Sequence, residues 1–309
     1  MTQQLIYVLA GIAALLVIAS ATGVVLERRA SEPRARETVH NLNARIRAWW
    51  VMIVVLGGAI VLGETTTIIL FTLLSFMALR EFWTLTPSRR GDHVALFLSF
   101  FVVLPLHYLL LGVGRYGLFS IFIPVYAFLI LPAVTTLAGD TSEFLARSAK
   151  VQWGLMLTVY AVSHAPALLL LETGGPAALL LVYLIVVVQL SDVFQYVWGK
   201  LLGRRLLAPG ISPSKTVEGL VGGALSAILV GTLLHGLTPF TPLQAAAISA
   251  VIVVAGFFGG FVLSAIKRDL KAKDWGYLIE GHGGVLDRID SLTFAAPLFF
   301  HMTRYWFAA

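Results

Sequence analysis

The chain is a succession of long uncharged apolar runs separated by short, polar and mostly basic stretches. Residues 1–25, 151–171, 173–191 and 220–266 contain no Asp, Glu, Lys or Arg. A run of about 20 apolar residues is enough for a helix to cross the hydrocarbon core of a bilayer. One such run would suit a helix buried in a soluble domain, but this many would not. The pattern predicts an all-α fold, a polytopic integral membrane helical bundle of about eight to ten transmembrane helices. The spans expected are 4–25, 49–63, 65–79, 94–112, 117–137, 152–171, 175–198, 217–235, 244–266 and 291–307. The first resembles a signal peptide in length, but no Lys or Arg precedes it, so it reads as a retained helix. The second and third are short and meet at "LGETT", as a tight hairpin or a partly re-entrant pair.

Charge turns the pattern into a topology. With the N-terminus outside and ten spans, every Lys and Arg except Arg115 and Arg304 falls in connections on one side. Short cytoplasmic loops carry the Lys/Arg excess in membrane proteins, so that side is expected to be cytoplasmic. Composition agrees: 58% of residues are hydrophobic and 12% charged, against about 25% charged in soluble domains. The net charge of +6 then reads as a topology signal and an attraction to anionic lipid headgroups. It argues against nucleic acid as a partner, because it is spread over short loops with no aromatic-rich basic groove. Cysteine is absent, which excludes disulfides, a thiolate nucleophile and Cys-ligated metal.

The two halves differ. Residues 1–150 are expected to hold membrane helices with ordinary basic loops. There "LERRASEPRARETVHNLNARIRAWW" leads into a basic amphipathic helix with Trp49 and Trp50 at the interface, and "LREFWTLTPSRRGDH" supplies Trp83 and an Arg pair as anchors. Glu64 has no role in this reading. Residues 151–309 are expected to form a C-terminal membrane domain that carries two polar blocks, the candidate site of chemistry.

The first block is "QLSDVFQYVWGKLLGRRLLAPGISPSKTVEGLVGG", residues 189–223. Asp192 closes an apolar run, and a carboxylate so near hydrocarbon faces a cavity, a partner or a metal. Helical spacing lets Asp192, Tyr196, Gly199 and Gly203 share a face. The glycines permit close approach of another helix or of a ligand. In "SPSKTVEG", Ser214 or Ser212 is expected to cap a helix starting near Lys215. Free N–H groups there attract phosphate, Lys215 adds a charge, and Ser212, Ser214 and Thr216 offer hydroxyls. Glu218 either caps or holds the lysine.

The second block covers residues 256–300. Ser264, Lys267, Arg268 and Lys271 recur at helical spacing as a span leaves the membrane, and Lys267 and Arg268 are candidates for phosphate contact or for topology anchors. In "GHGGVLDRIDS", residues 281–291, Gly281, Gly283 and Gly284 permit a tight loop that approaches a phosphate or headgroup closely. Residues 285–289 begin a helix on which Asp287 and Asp290 face one way. Two hard oxygen ligands in a basic surrounding suit Mg²⁺ held jointly with substrate phosphates, although a capping acid would also suit Asp287. Arg288 either clamps a phosphate or binds Glu280, and His282 binds a phosphate or steadies the loop.

The blocks resemble the phosphatidate cytidylyltransferases, or CDP-diacylglycerol synthases. Their outline S-x-x-K-R-x-x-x-x-K-D, then H-G-G-x-x-D-R-x-D, stands here as Ser264, Lys267, Arg268, Lys273 and Asp274, then His282, Gly283, Gly284, Asp287, Arg288 and Asp290. An upstream Asp, Tyr, Gly and S-P-x-K-T-x-E-G pattern looks like Asp192, Tyr196, Gly199 and residues 212–219. The likeness is specific over about residues 185–300. It implies Mg²⁺-dependent transfer of a cytidylyl group from CTP to phosphatidate at the cytoplasmic side of an inner or plasma membrane. It implies Asp192, Lys215, Lys267, Arg268, Asp287 and Asp290 as catalytic residues, with Asp192, Asp287 and Asp290 on the metal. Substrate binding would fall to Tyr196, Ser212, Ser214, Thr216, Ser264, His282, Gly283, Gly284 and Arg288. It leaves a homodimer open. One position departs: where family members carry an aspartate in "GDL", this chain has Gly260. A CTP-dependent kinase of a lipid alcohol and a non-catalytic transporter or scaffold are the rival readings.

Overall fold

A computed structural model describes residues 3–29, 32–278 and 283–308. It is an all-α bundle carrying one small β-hairpin. Among the described residues nine helices are long and apolar enough to cross a membrane. They are α1 (Gln3–Arg29), α2 (Pro33–Leu62), α3 (Glu64–Leu85), α4 (Arg90–Gly112), α5 (Tyr116–Thr136), α6 (Phe144–Leu170), α7 (Ala177–Leu202), α8 (Val217–Leu237) and α9 (Pro242–Asp269). The tenth expected span lies in α10 (Leu286–Phe307). Asp287, Arg288 and Asp290 in its first turns and Arg304 in its last make α10 more polar than the others.

The expected second and third spans are too short in the sequence reading. The basic amphipathic stretch runs straight into α2, and α3 continues to Leu85. Gly63, at φ +113°, makes the break between them. Glu64 is the first residue of α3, where a carboxylate opposes the positive end of the helix dipole.

Several helices are irregular for visible reasons. α4, α5 and α6 contain π-helical stretches at Ser99–Val103, Phe122–Ala127 and Met156–Tyr160. Pro132 has no N–H for the Phe128 carbonyl; the Gln152 amide donates to it instead, at 3.2 Å, tying α5 to α6. The start of α9 has a capping box, in which Thr241 and Gln244 each receive the other's backbone N–H.

Buried polar pairs stitch the bundle. Tyr183 on α7 meets Ser249 on α9 at 2.7 Å, Tyr108 on α4 meets Ser75 on α3 at 2.7 Å, and His107 on α4 meets Ser163 on α6 at 2.9 Å. Such bonds between helices in a bilayer average about 0.6 kcal/mol, with a maximum near 1.7. Close packing therefore holds the bundle, and the bonds select the partners. One apolar core runs from Leu5 on α1 to Phe300 on α10, while large apolar side chains such as Leu62 and Leu233 face outward. An outer surface of that kind suits contact with lipid.

Candidate functional site

The site is built around the first two turns of α10. The N-terminus of a helix presents backbone N–H groups with no partner of their own. Here α3 supplies one: the Val285 N–H donates to Glu81 Oε1 at 2.9 Å and the Leu286 N–H to Oε2 at 2.8 Å. Glu81 is buried, and a Cβ at Gly284 would overlap its carboxylate. Gly284 is thus required for a close approach, but the group approaching is a protein carboxylate. Glu81 went unread in the sequence. Its signal was an acid in the interior of an apolar helix, with Met77 and Leu85 four residues away on either side and so no helical charge partner.

Asp287 completes the loop before α10. Its Oδ2 accepts from the N–H groups of Trp275 (2.8 Å) and Gly284 (3.0 Å), and Oδ1 receives the Lys267 ammonium of α9 at 2.6 Å. Both members of that ion pair are close to buried, at 10% and 6% side-chain exposure. Gly283 adopts φ +80°, and a Cβ there would press on Asp287 at 2.8 Å. The resemblance places Lys267 on phosphate and Asp287 on metal; in the structure they engage each other. Gly281 and His282, like Glu280, lie outside the described residues.

One turn further, carboxylates from two helices meet. The Ser291 hydroxyl donates to Asp192 Oδ2 on α7 at 2.8 Å and lies 3.3 Å from Asp290 Oδ1. The Ser291 N–H donates to the same Asp290 oxygen at 2.7 Å. A hydroxyl carries one proton and serves one carboxylate at a time. Asp192 and Asp290 therefore stand close enough to repel, and each feels the positive charge of Lys215. Two carboxylates thus converge on one hydroxyl, and carboxylate oxygens are the ligand type that suits a hard cation. Among the described residues no group of three or more His, Cys, Asp or Glu side chains is placed to hold a metal by itself.

Gly260 faces this pair. A Cβ on it would lie 3.4 Å from Ser291 Oγ and 3.5 Å from Asp290 Oδ2, in ordinary contact. Its neighbour Gly259 packs on the α10 backbone, where a Cβ would come within 2.7 Å of the Asp290 carbonyl oxygen. The residue that departs from the family outline therefore points at Ser291 and the Asp290 carboxylate.

The "SPSKT" stretch corrects the sequence reading. Ser212–Thr216 is a strand, β2, pairing antiparallel with β1 (Leu206–Ala208). The helix begins later, at Val217, and its cap is Thr216, whose Oγ1 accepts the Gly219 N–H at 3.1 Å; neither Ser212 nor Ser214 caps it. Glu218 does not hold Lys215. It accepts the N–H groups of Arg204 and Arg205 at 3.0 and 3.1 Å, fixing the end of α7. Lys215 sits over the Phe257 ring, 4.8 Å from its centre. Gly199 and Gly219 bring α7 and α8 nearly backbone to backbone, so these glycines serve helix packing.

The remaining candidates scatter. Tyr196, 60% exposed, turns outward with Lys200 above its ring, away from the contact that Asp192 makes. The Ser264 hydroxyl is returned to the Gly260 carbonyl at 2.7 Å. Arg268 ties the hairpin turn to the segment after α9, through the carbonyls of Ile211 and Ala272. Ser214 is exposed and Ser212 half-buried on the strand that carries Lys215. Arg288 is half-buried on α10, and its carbonyl accepts from Gln189 of α7 at 3.4 Å.

Comparison with known proteins gives a consistent answer. The profile of the cytidylyltransferase family matches residues 43–306. The uncharacterized protein YnbB of Escherichia coli (strain K12) is 42% identical over 303 residues, 96% of this chain and 97% of that protein. The phosphatidate cytidylyltransferases of Bacillus subtilis (strain 168) and Aquifex aeolicus (strain VF5) are 40% and 38% identical over 122 and 138 residues. Those matches cover 39% and 40% of this chain, and 45% and 52% of the two enzymes, about half of each.

Proposed function

This chain belongs to the cytidylyltransferase family, and from that premise we propose that it transfers the cytidylyl group of CTP to phosphatidate or a closely related lipid phosphate. The products are CDP-diacylglycerol and pyrophosphate, formed at the cytoplasmic face of an inner or plasma membrane. The observation that supports this most is the Asp192–Ser291–Asp290 contact, which brings two carboxylates together beside Lys215.

An oxygen of the lipid phosphate attacks the α-phosphorus of CTP, the bond to the bridging oxygen breaks, and pyrophosphate leaves. The attacking oxygen is already anionic, so the step needs position and charge more than a base. Asp192 and Asp290 are the residues we assign to Mg²⁺, a cation commonly held by one or two carboxylates together with waters and substrate phosphates. Asp287 joins that set only by exchanging Lys267. Bound there, the metal would neutralise charge on the reacting phosphates. Lys215, Lys267 and Arg268 hold the phosphate groups in this reading, and Lys267 does so by leaving Asp287. Ser212 and Ser214 on the hairpin and Arg288 on α10 are the remaining candidates for contact with substrate, whereas Thr216, Ser264, Gly283 and Gly284 are engaged within the protein. We keep residues 151–309 as the catalytic part, with α3 lending Glu81. Neither nucleic acid nor a second copy of the chain is required.

The test is the purified chain in defined lipid with phosphatidate, α-labelled CTP and Mg²⁺. The expected result is label in a lipid that retains cytidine. Label confined to water-soluble CDP, with a phosphorylated lipid alcohol as co-product, would assign the kinase instead.

A further inference from the structure

A second polar site lies at the other end of α10. Arg304 stands 14 residues beyond Asp290, or about 21 Å along a helix rising 1.5 Å per residue. Beside it is a cavity of about 610 Å³ lined by Tyr116, His301, Met302, Arg304, Tyr305 and Trp306 among others. None of these residues belongs to the carboxylate site.

The arrangement is built. The Arg304 guanidinium lies over the Tyr116 ring, 3.7 Å from its centre. The Tyr116 hydroxyl meets His301 Nδ1 at 3.3 Å. Stacking fixes the guanidinium plane and leaves its N–H donors directed out from the edge, the geometry that receives a phosphate. Among the described residues no carboxylate lies within ion-pair distance of Arg304 or of Arg115. Arg115 is exposed and immediately precedes Tyr116. These are the two basic residues that the alternating topology leaves away from the basic end, and the fold brings them to one place. Tyr116 and Arg304 also line a smaller cleft of about 90 Å³, otherwise apolar, with Leu111, Phe119, Leu170 and Phe300 in its walls. Arg304 and Tyr116 thus stand between an open depression and an apolar slot. The exposed Tyr305 and Trp306 are the residue types that settle at headgroup level.

We propose that this end of the bundle binds an anionic phospholipid of the leaflet opposite the carboxylates, its headgroup phosphate on Arg304 and its glycerol and first acyl carbons against the apolar cleft. A purely structural role for Arg304 would not require an open depression in front of it.

The test is native mass spectrometry of the full chain in detergent, titrated with dioctanoyl phosphatidylglycerol, with dioctanoylglycerol as the phosphate-free probe and inorganic phosphate as competitor. The expected result is saturable binding of the phospholipid, weakened about tenfold by Arg304→Gln, as for loss of a charged hydrogen bond. Arg304→Lys should weaken it less, and Asp290→Asn should leave it unchanged. Cytidylyl transfer should be unaffected by Arg304→Gln. Equal binding of dioctanoylglycerol, or no effect of either Arg304 variant on a folded chain, would overturn the proposal. So would loss of binding in Asp290→Asn, which moves the lipid to the carboxylate end. Displacement by inorganic phosphate at the lipid's own concentration would make it a free-anion site.

Discussion

Ser291 on α10 gives its hydroxyl proton to Asp192 on α7 at 2.8 Å, and its backbone N–H to Asp290 at 2.7 Å. One serine thus holds together two acids that are nearly a hundred residues apart in the chain. Removing either carboxylate while keeping its shape should spare the fold and spoil the chemistry. Asp192→Asn and Asp290→Asn are each expected to lower cytidylyl transfer by about 10²-fold or more, the scale of losing one preorganised electrostatic group. Thermal unfolding should stay near the parent's. Near-normal transfer in both at limiting Mg²⁺ would remove these residues from the metal.

Asp287 should behave differently. Asp287→Asn leaves Lys267 buried without its counter-charge and weakens the acceptor for the Trp275 and Gly284 N–H groups. Breaking one side of a buried pair costs about 3–5 kcal/mol. The variant is therefore expected to lose stability as well as transfer, seen as a lower unfolding temperature in detergent. Unchanged unfolding with lost transfer would instead make Asp287 a metal ligand only.

Glu81 carries a prediction that needs no substrate. Glu81→Ala strips two N–H donors of their partner at a buried helix start, at about 1–3 kcal/mol for each buried group left unsatisfied. Glu81→Gln keeps one oxygen acceptor and should lose less. The order parent, Gln, Ala in unfolding temperature is the expected outcome. Equal stability of Ala and parent would show that α10 starts without help from α3.

Much of this was legible in the sequence because it rests on local rules. Apolar run length marked the helices, and the "HGG" outline marked the start of α10. What stayed hidden was long-range. Glu81 and α10 are joined across some two hundred residues, and no spacing rule links them. "SPSKT" read as a helix cap because Ser, Pro and Lys suit a helix start, yet pairing with Leu206–Ala208 draws it into a strand. Lys267 and Asp287 each suit phosphate or metal when read alone, and only the fold shows them spent on one another.

The cluster beside α6 offers a pH test. Arg147 is buried against Asp92, both at 3% exposure, and reaches Asp140 at 2.9 Å. The Ser142 N–H, with Arg147 and Arg89 adding to it, holds the Asp140 carboxyl below its ordinary value of 3.8. A depressed carboxylate stabilises the fold above its unfolded pKa, and that contribution is lost as pH falls through the folded value. Asp140→Asn should therefore lower the unfolding temperature at neutral pH and converge on the parent only as pH falls from 3.8 through the lower folded value. A difference that persists in acid would mean that the loss is one of shape, not charge.

Gly259 and Gly260 make the sharpest contrast, because adjacent residues face different things. A Cβ at Gly259 meets the Asp290 carbonyl oxygen at 2.7 Å, a backbone atom that cannot swing aside. Gly259→Ala should force α9 from α10 and cost about 1–3 kcal/mol, the usual scale of overpacking. A Cβ at Gly260 meets Ser291 and Asp290 at ordinary distances, so Gly260→Ala should fold with little loss. Gly260→Asp then separates space from charge. Without a cation it sets a third negative group beside Asp290 and should unfold at lower temperature than the parent in EDTA. With Mg²⁺ the added carboxylate becomes a ligand, so the deficit should disappear and half-maximal transfer should need about tenfold less Mg²⁺, as for one charged contact. Gly260→Asn controls for size and should show neither effect. If Gly260→Asp folds well and its unfolding and transfer respond to Mg²⁺ as the parent's do, the metal does not sit between Asp192 and Asp290.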